Sequence, residues 1–479
     1  MSSLSSVDRK HAGSVDAASV PPAAVSARRV MRKIDLHVLP YICVMYTLAF
    51  LDRVNISNAV LFGLKGDLGL VGNQYSVALV IFFVPYILCE VPSNIFMKRL
   101  RPHVWLSICM FGFGLVTMLQ GFVSNWGGLM TTRWFLGVFE AGMFPGCFYL
   151  LAMWYRREEA QKRYTFFFCS TTLAGAFGGL LASAIGKMDG IRGYRGWRWV
   201  FIIEGLVTAV VAIAWFFLLP DFPEEAKFLS EEEKDWVRTR LAQDVGESEI
   251  EQKSTWRDAL KVICDYKVMV GALMYFGLIV PGYGYAYFAP TIISGFGYST
   301  IRTQLLSVPP WAAAFAFAMC TAFASDLARH RAAFALAACG VCVAGFAVLL
   351  AHPAGTGAQY GALFLAAAGA YTAMPLVVCW FNTNLAGHTR RGVGSAWQVA
   401  FGNIGGIVAS FAFPDADKPR FLKGYGLCLA FSAFTMFMIV VYVLVLAGEN
   451  RRRARLSEVD DEKAKLRKGD LAVDYRYMY

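Results

Sequence analysis

Twelve apolar stretches, each about as long as a bilayer is thick, dominate this sequence. They lie near 36–59, 75–97, 104–123, 128–152, 164–186, 198–219, 268–290, 305–325, 332–351, 358–381, 393–413 and 424–447. A membrane helix needs roughly 20 mostly apolar residues. The stretches are apolar all round, not striped, which suits lipid or a dry bundle interior. Strands of a membrane barrel would alternate polar and apolar residues. Between Arg331 and Arg390 there is no Asp, Glu, Lys or Arg, which leaves room for two crossings joined at His352-Pro353-Ala354-Gly355. Charged residues make up 16% of the 479, against about 25% in a soluble domain. That argues against a water-soluble enzyme. The expected fold class is an all-α membrane protein with twelve transmembrane helices in two six-helix, pseudo-symmetric bundles.

The formal charge of +11 invites a nucleic-acid reading, but its placement points to topology. Nineteen Lys and Arg flank the spans on the side holding the N-terminus, and nine lie on the other. By the positive-inside rule both termini are expected in the cytoplasm. Residues 1–27 lack a signal-peptide core and read as a disordered cytosolic tail. The remaining divisions are a first bundle at 28–219, a cytosolic linker at 220–267, a second bundle at 268–447 and a cytosolic tail at 448–479. In the linker, Ser230 followed by Glu233 fits a capping box, which predicts a helix over Ser230–Leu241. A second short helix is expected near Thr255–Asp265.

An internal repeat supports the two halves. Gly175-Ala-Phe-Gly178-Gly179-Leu-Leu-Ala182-Ser183 matches Gly402-Asn-Ile-Gly405-Gly406-Ile-Val-Ala409-Ser410. Parallel repeats of this kind mark rocking-bundle transporters. Gly175 and Gly179, like Gly402 and Gly406, are four apart and share a helix face, where small residues allow close approach. Static packing and a sliding interface fit that pattern equally.

Ionisable groups inside a membrane are costly and usually functional. Here they are Asp52, Arg53, Glu90, Arg133, Glu140 and Glu204, all in the first half. Helical rise places Arg53, Arg133 and Glu204 in one layer, with Glu140 nearer the midplane and Glu90 deeper. Arg53 and Arg133 offer permanently charged planar forks suited to a carboxylate. Glu140 and Glu204, with Asp52, are candidate proton carriers. The competing reading makes Asp52–Arg53 and Arg133–Glu140 structural ion pairs. The uncharged half would add aromatic and amide groups: Tyr283, Tyr287, Tyr371 and Asn403, with Asn55 from the first half. The glycines around Tyr283 and the following Pro290 predict an irregular helix there. Glu90, Lys98, Arg99, Asp326 and Arg329 read as gating or structural charges.

No GxxxxGK[ST], HExxH or GxSxG motif occurs, and the pair Cys339/Cys342 lies in an apolar span without ligand-forming neighbours. No enzyme, metal or cofactor is expected, which leaves secondary transport.

The motifs Asp52-Arg53-Val-Asn55, Glu90-Val-Pro92-Ser93-Asn94 and Arg133-Trp-Phe-Leu-Gly137-Val-Phe-Glu140-Ala-Gly142-Met-Phe-Pro145-Gly146 are distinctive together. So are Gly196-Trp197-Arg198-Trp199, Gln304-Leu-Leu-Ser-Val-Pro309-Pro310 and His388-Thr-Arg390-Arg391. Over about residues 28–447 the chain resembles the major facilitator superfamily, in the fungal allantoate-permease branch of its anion:cation symporters. The resemblance implies alternating access and proton-linked movement of small carboxylates of the allantoate, nicotinate or pantothenate type. Two departures stand out. Lys98 occupies the loop-motif position usually held by Asp, and Asn94 replaces a glycine. The segment Pro414–Arg420 also differs from the family's usual compact form. The expected partners are a small organic anion, a proton and the lipid bilayer, without nucleic acid. The expected form is a plasma-membrane monomer, with export of an acidic metabolite and nutrient sensing as the alternatives.

Overall fold

A computed structural model describes residues 26–245, 256–328, 330–353, 355–385, 388–418, 420–458 and 475–478. Most of residues 1–27, residues 246–255, most of the segment after 458, Arg329, and the side chains of Lys98 and Arg99 lie outside the described residues. The expectations placed on them rest there.

Among the described residues sixteen α-helices follow in order. They are α1 (Ala27–Leu61), α2 (Leu64–Asp67), α3 (Gln74–Arg99), α4 (Pro102–Gln120), α5 (Trp126–Glu140), α6 (Met143–Trp154), α7 (Arg157–Ile185), α8 (Gly196–Leu218), α9 (Glu231–Val245), α10 (Trp256–Ile263), α11 (Tyr266–Ser294), α12 (Thr300–Ala328), α13 (Arg331–Ala351), α14 (Thr356–Thr383), α15 (His388–Ser410) and α16 (Leu422–Glu458). Among the described residues ten segments are long and apolar enough to cross a membrane, with α5 and α6 counted as one. The other two sequence windows fold as α3 and α15, and twelve spans result. The end of the bundle that carries Ala27 and Glu458 is called the basic end below.

The packing repeats between halves. α1 lies on α7, α3 on α5 and α4 on α8; α11 lies on α15, α12 on α14 and α13 on α16. The halves meet where α7 packs on α12 and α3 on α15, with α1 on α11 between them. The helix break falls elsewhere than the sequence led us to expect. α11 runs as one helix through Pro281 and Pro290, because a proline removes one hydrogen bond and buried neighbours on all sides hold the rest. The interruption comes instead at Ala141-Gly142, between α5 and α6. Pro145 cannot donate to the carbonyl four residues back. A Cβ on Gly142 would run into the Ser93 hydroxyl and lie 2.9 Å from Trp105 Nε1.

The linker helix α9 starts at the anticipated capping box. Ser230 N–H donates to Glu233 Oε2 at 3.0 Å and Glu233 N–H to Ser230 Oγ at 3.3 Å. Lys33 Nζ also donates to Glu233, at 2.6 and 2.8 Å, tying α9 to α1. The Lys33 hydrogen bond, with the backbone bond from Ser230, holds the Glu233 carboxyl below its ordinary value. Its contribution is therefore full above the usual carboxylate range, about 4.3, and is lost as pH falls through the lower folded value. Glu233→Gln should speed amide exchange in α9 about fivefold at pH 7, the worth of roughly 1 kcal/mol. After correction for intrinsic rates, the gap from the parent should close as the pH drops below 4.

Candidate functional site

Arg53 and Arg133 are buried, 4% and 0% exposed. A helical side chain leans towards the N-terminus of its own helix. α1 and α5, the first and fourth spans, run antiparallel, so Arg53 leans towards the C-terminal end of α5, where Glu140 sits. Its Nε donates to Glu140 Oε1 at 2.8 Å, and Nη2 forms an ion pair with the same oxygen. Nη1 donates to the Tyr283 hydroxyl of α11. The guanidinium also lies over Phe82 and Tyr86 of α3, 4.9 and 5.0 Å from the ring centres. Side chains of three other helices, one from the second half, thus converge on this cation.

Arg133 leans the other way and binds main chain. Its Nη1 donates to the Arg53 carbonyl at 3.2 Å and its Nε to the Ala78 carbonyl at 3.3 Å. Among the described residues its Nη2 has no hydrogen-bond partner, and neither has Glu140 Oε2. A buried N–H of a charged group left unmet is expensive. It is the kind of group that a carboxylate oxygen satisfies.

This pairing corrects the alternative of structural pairs Asp52–Arg53 and Arg133–Glu140. Residues 52 and 53 point about 100° apart on α1, so they cannot share a partner face. Asp52 turns instead towards Thr208 and Glu204 of α8. Arg133 and Glu140 share a face of α5 but stand about two turns apart, and Arg133 leans away. Glu204 accepts from Asn55 Nδ2. Arg53 with Glu140 stands on one face of α1, and Asp52, Asn55 and Glu204 on another.

The aromatic candidates separate similarly. Tyr283 touches Arg53, and Tyr287 stacks on Tyr283 with ring centres 5.3 Å apart. The Tyr285 and Tyr287 hydroxyls are buried, without hydrogen-bond partners among the described residues. Tyr371 donates to the Gly282 carbonyl at 3.0 Å and packs on Trp311 at 4.6 Å. It belongs to the wall behind Tyr283. Asn403 is buried in α15, and among the described residues no contact joins it to Arg53. Phe82 and Tyr86 were not anticipated. Their signal was present: positions 82, 86 and 90 are four apart and share the face that carries Glu90. Glu90 is buried, and among the described residues its carboxyl has no hydrogen-bond partner. Asp326 lies 3.9 Å from Arg331.

The repeat glycines sit at close approaches. A Cβ on Gly175 would enter the Trp311 ring, and one on Gly179 would lie 2.9 Å from the Gln304 carbonyl oxygen. Both contacts cross from α7 to α12. A Cβ on Gly406 would enter the Phe83 ring, crossing from α15 to α3, whereas Gly402 faces Tyr275 inside the second half. Three of the four therefore line the seam between halves. At the end opposite the basic end, Lys65 also crosses the seam, donating to Asp415 at 2.6 Å.

The Major Facilitator Superfamily model matches residues 42–410. The chain is 35% identical to the MFS transporter prlL of a fungal species, over 90% of its own length and 88% of that protein's. It is 32% identical to the MFS-type transporter cnsO of Penicillium expansum, covering 92% and 88% of the two chains. It is 29% identical to the high-affinity nicotinic acid transporter of Saccharomyces cerevisiae, covering 96% and 86%. A bacterial homologue of the human lysosomal transporter Spinster, solved in an inward-facing and occupied conformation, shares the fold. Its TM-score is 0.62 at 15% identity, over 85% of this chain and 96% of that one.

Proposed function

The chain belongs to the major facilitator superfamily, and from that premise we propose that it carries a small organic carboxylate across the membrane together with a proton. The single observation that carries this reading is the buried Nη2 of Arg133, unmet among the described residues, beside an Arg53 paired with Glu140. Arg53 and Arg133 take the anion, with Tyr283 and Tyr287 nearby, while Asn55 stands with Glu204 on another face of α1. When the anion occupies Arg53, Glu140 loses its cation, and a proton on Glu140 replaces that neutralisation. Glu204 and Asp52 form a second acidic site, on the other face of α1. Anion and proton crossing together move no net charge, which avoids a cost of about 2.3 kcal/mol per charge for each 100 mV. The halves 28–219 and 268–447 rock about the glycine seam to expose the site to each side in turn. In this reading the protein is a monomer in the plasma membrane, with both termini cytoplasmic. The relative named as a nicotinic acid transporter supports the carboxylate class.

The test is uptake of labelled nicotinate and a panel of other small carboxylates into proteoliposomes. With the outside made acid, accumulation is expected, and an uncoupler should abolish it. Arg133→Ala should lower uptake about a hundredfold, the usual effect of losing a buried charge-assisted contact. Accumulation that ignores the imposed pH gradient would sink the proton coupling. Uptake untouched by Arg133→Ala would sink the site.

A further inference from the structure

We propose that residues Tyr475–Met478 are an intramolecular ligand, held in a peptide-binding site at the basic end of the second bundle, and that their docking keeps that end closed.

The recognition is of main chain. Asn450 of α16 accepts the Tyr477 N–H at 2.9 Å and donates to the Tyr477 carbonyl at 3.0 Å. Asn384, one residue past α14, does the same for Met478, accepting its N–H at 2.8 Å and donating to its carbonyl at 3.0 Å. Trp380 Nε1 donates to that carbonyl as well, at 2.8 Å. A side-chain amide that meets both polar groups of one residue substitutes for a neighbouring strand, the usual way an extended peptide is bound. Here two amides do so for consecutive residues.

Side chains add the specificity. The Tyr477 hydroxyl accepts from Lys267 Nζ at 2.7 Å and from Arg453 Nη2 at 2.9 Å. Both cations also lie over its ring, at 5.0 and 4.5 Å. The Tyr475 hydroxyl donates to the Thr383 carbonyl, and Arg453 Nη1 donates to the Tyr475 carbonyl, each at 3.0 Å. Tyr477, Asn384 and Arg453 are all buried. Groups this polar are buried only where partners meet them, and the segment supplies several of those partners.

The location assigns the consequence. The site joins the ends of α11, α14 and α16. Cys379 of α14 lies 3.9 Å from Thr165 of α7, a contact between halves close to the basic end. Trp380, Thr383 and Asn384, which hold the segment, stand within about one turn of Cys379. Opening the basic end requires α14 to part from α7. A ligand that braces α14 against α11 and α16 favours the closed arrangement by its differential affinity.

The test deletes residues 475–479 from the otherwise whole chain. A fluorescent synthetic peptide of residues 474–479 should bind the shortened protein saturably and the parent not at all. The same peptide carrying Tyr477→Ala should bind about tenfold more weakly. Alkylation of Cys379, read by mass spectrometry, should be several-fold faster in the shortened protein and return to the parent rate when the peptide is added. Cys109, buried in the first half, should not change. Asn450→Ala in the full chain should move Cys379 in the same direction, and it keeps the test decisive if the shortened chain does not fold. Absence of saturable binding to a folded shortened protein overturns the docking site. Cys379 reacting at one rate in parent, shortened chain and Asn450→Ala overturns the restraint. Neither readout depends on the transported substrate.

Discussion

Glu140→Ala is expected to destabilise the protein by about 3–5 kcal/mol and to abolish transport. The substitution leaves Arg53 charged, buried and without its acid, and such orphaning carries that cost. Tyr283, Phe82 and Tyr86 would remain around the guanidinium, but cation–π contacts return only about 0.5–2 kcal/mol. Thermal unfolding of the purified protein in detergent measures the first effect and proteoliposome uptake the second. The double variant Arg53→Met with Glu140→Leu separates them. Replacing both members of a buried pair with apolar groups of similar volume is often neutral or stabilising. The double variant should therefore unfold near the parent temperature while transporting nothing. Recovery of transport in it would mean that the pair only braces the bundle. Failure to recover stability would mean that the loss in Glu140→Ala has another origin.

Gly205→Val should give the second large effect, loss of the folded protein. A Cβ at Gly205 would press on the Met118 backbone nitrogen and lie 2.6 Å from the Gly114 carbonyl oxygen. These are main-chain atoms of α4 and cannot step aside as a flexible side chain can. The two helices would have to separate along their whole contact, at a cost above about 3 kcal/mol. The same change at Gly340 of α13, where no atom beyond the local backbone of its own helix lies within 4 Å of a Cβ, should be nearly silent. Size-exclusion profiles and melting temperatures of the two variants compare them directly. Equal behaviour would show that α4 and α8 do not approach as closely as described.

The apolar stretches were enough to read twelve crossings, because a bilayer accepts backbone only when its hydrogen bonds are met within the segment. The glycine repeat marked both halves, since only the smallest side chains permit such approaches. The capping box placed the start of α9, because its two bonds close over four consecutive residues. The buried charges were also visible in the sequence, as polar residues in stretches that otherwise have none.

What those charges face depended on helix rotation and on which way each side chain leans, and neither follows from span boundaries. Asp52 and Arg53 are neighbours in sequence yet serve different faces of α1. Arg53 meets Glu140 because antiparallel helices lean their side chains towards each other's far ends. The contributions of Phe82, Tyr86 and Tyr283 needed α1, α3 and α11 brought together, and the docking of Tyr475–Met478 needed α11, α14 and α16. Local patterning determines where the chain enters and leaves an apolar solvent, since each crossing satisfies its backbone alone. Pairing among the few polar groups inside is a property of the packed bundle, since each must find its partner on a different helix.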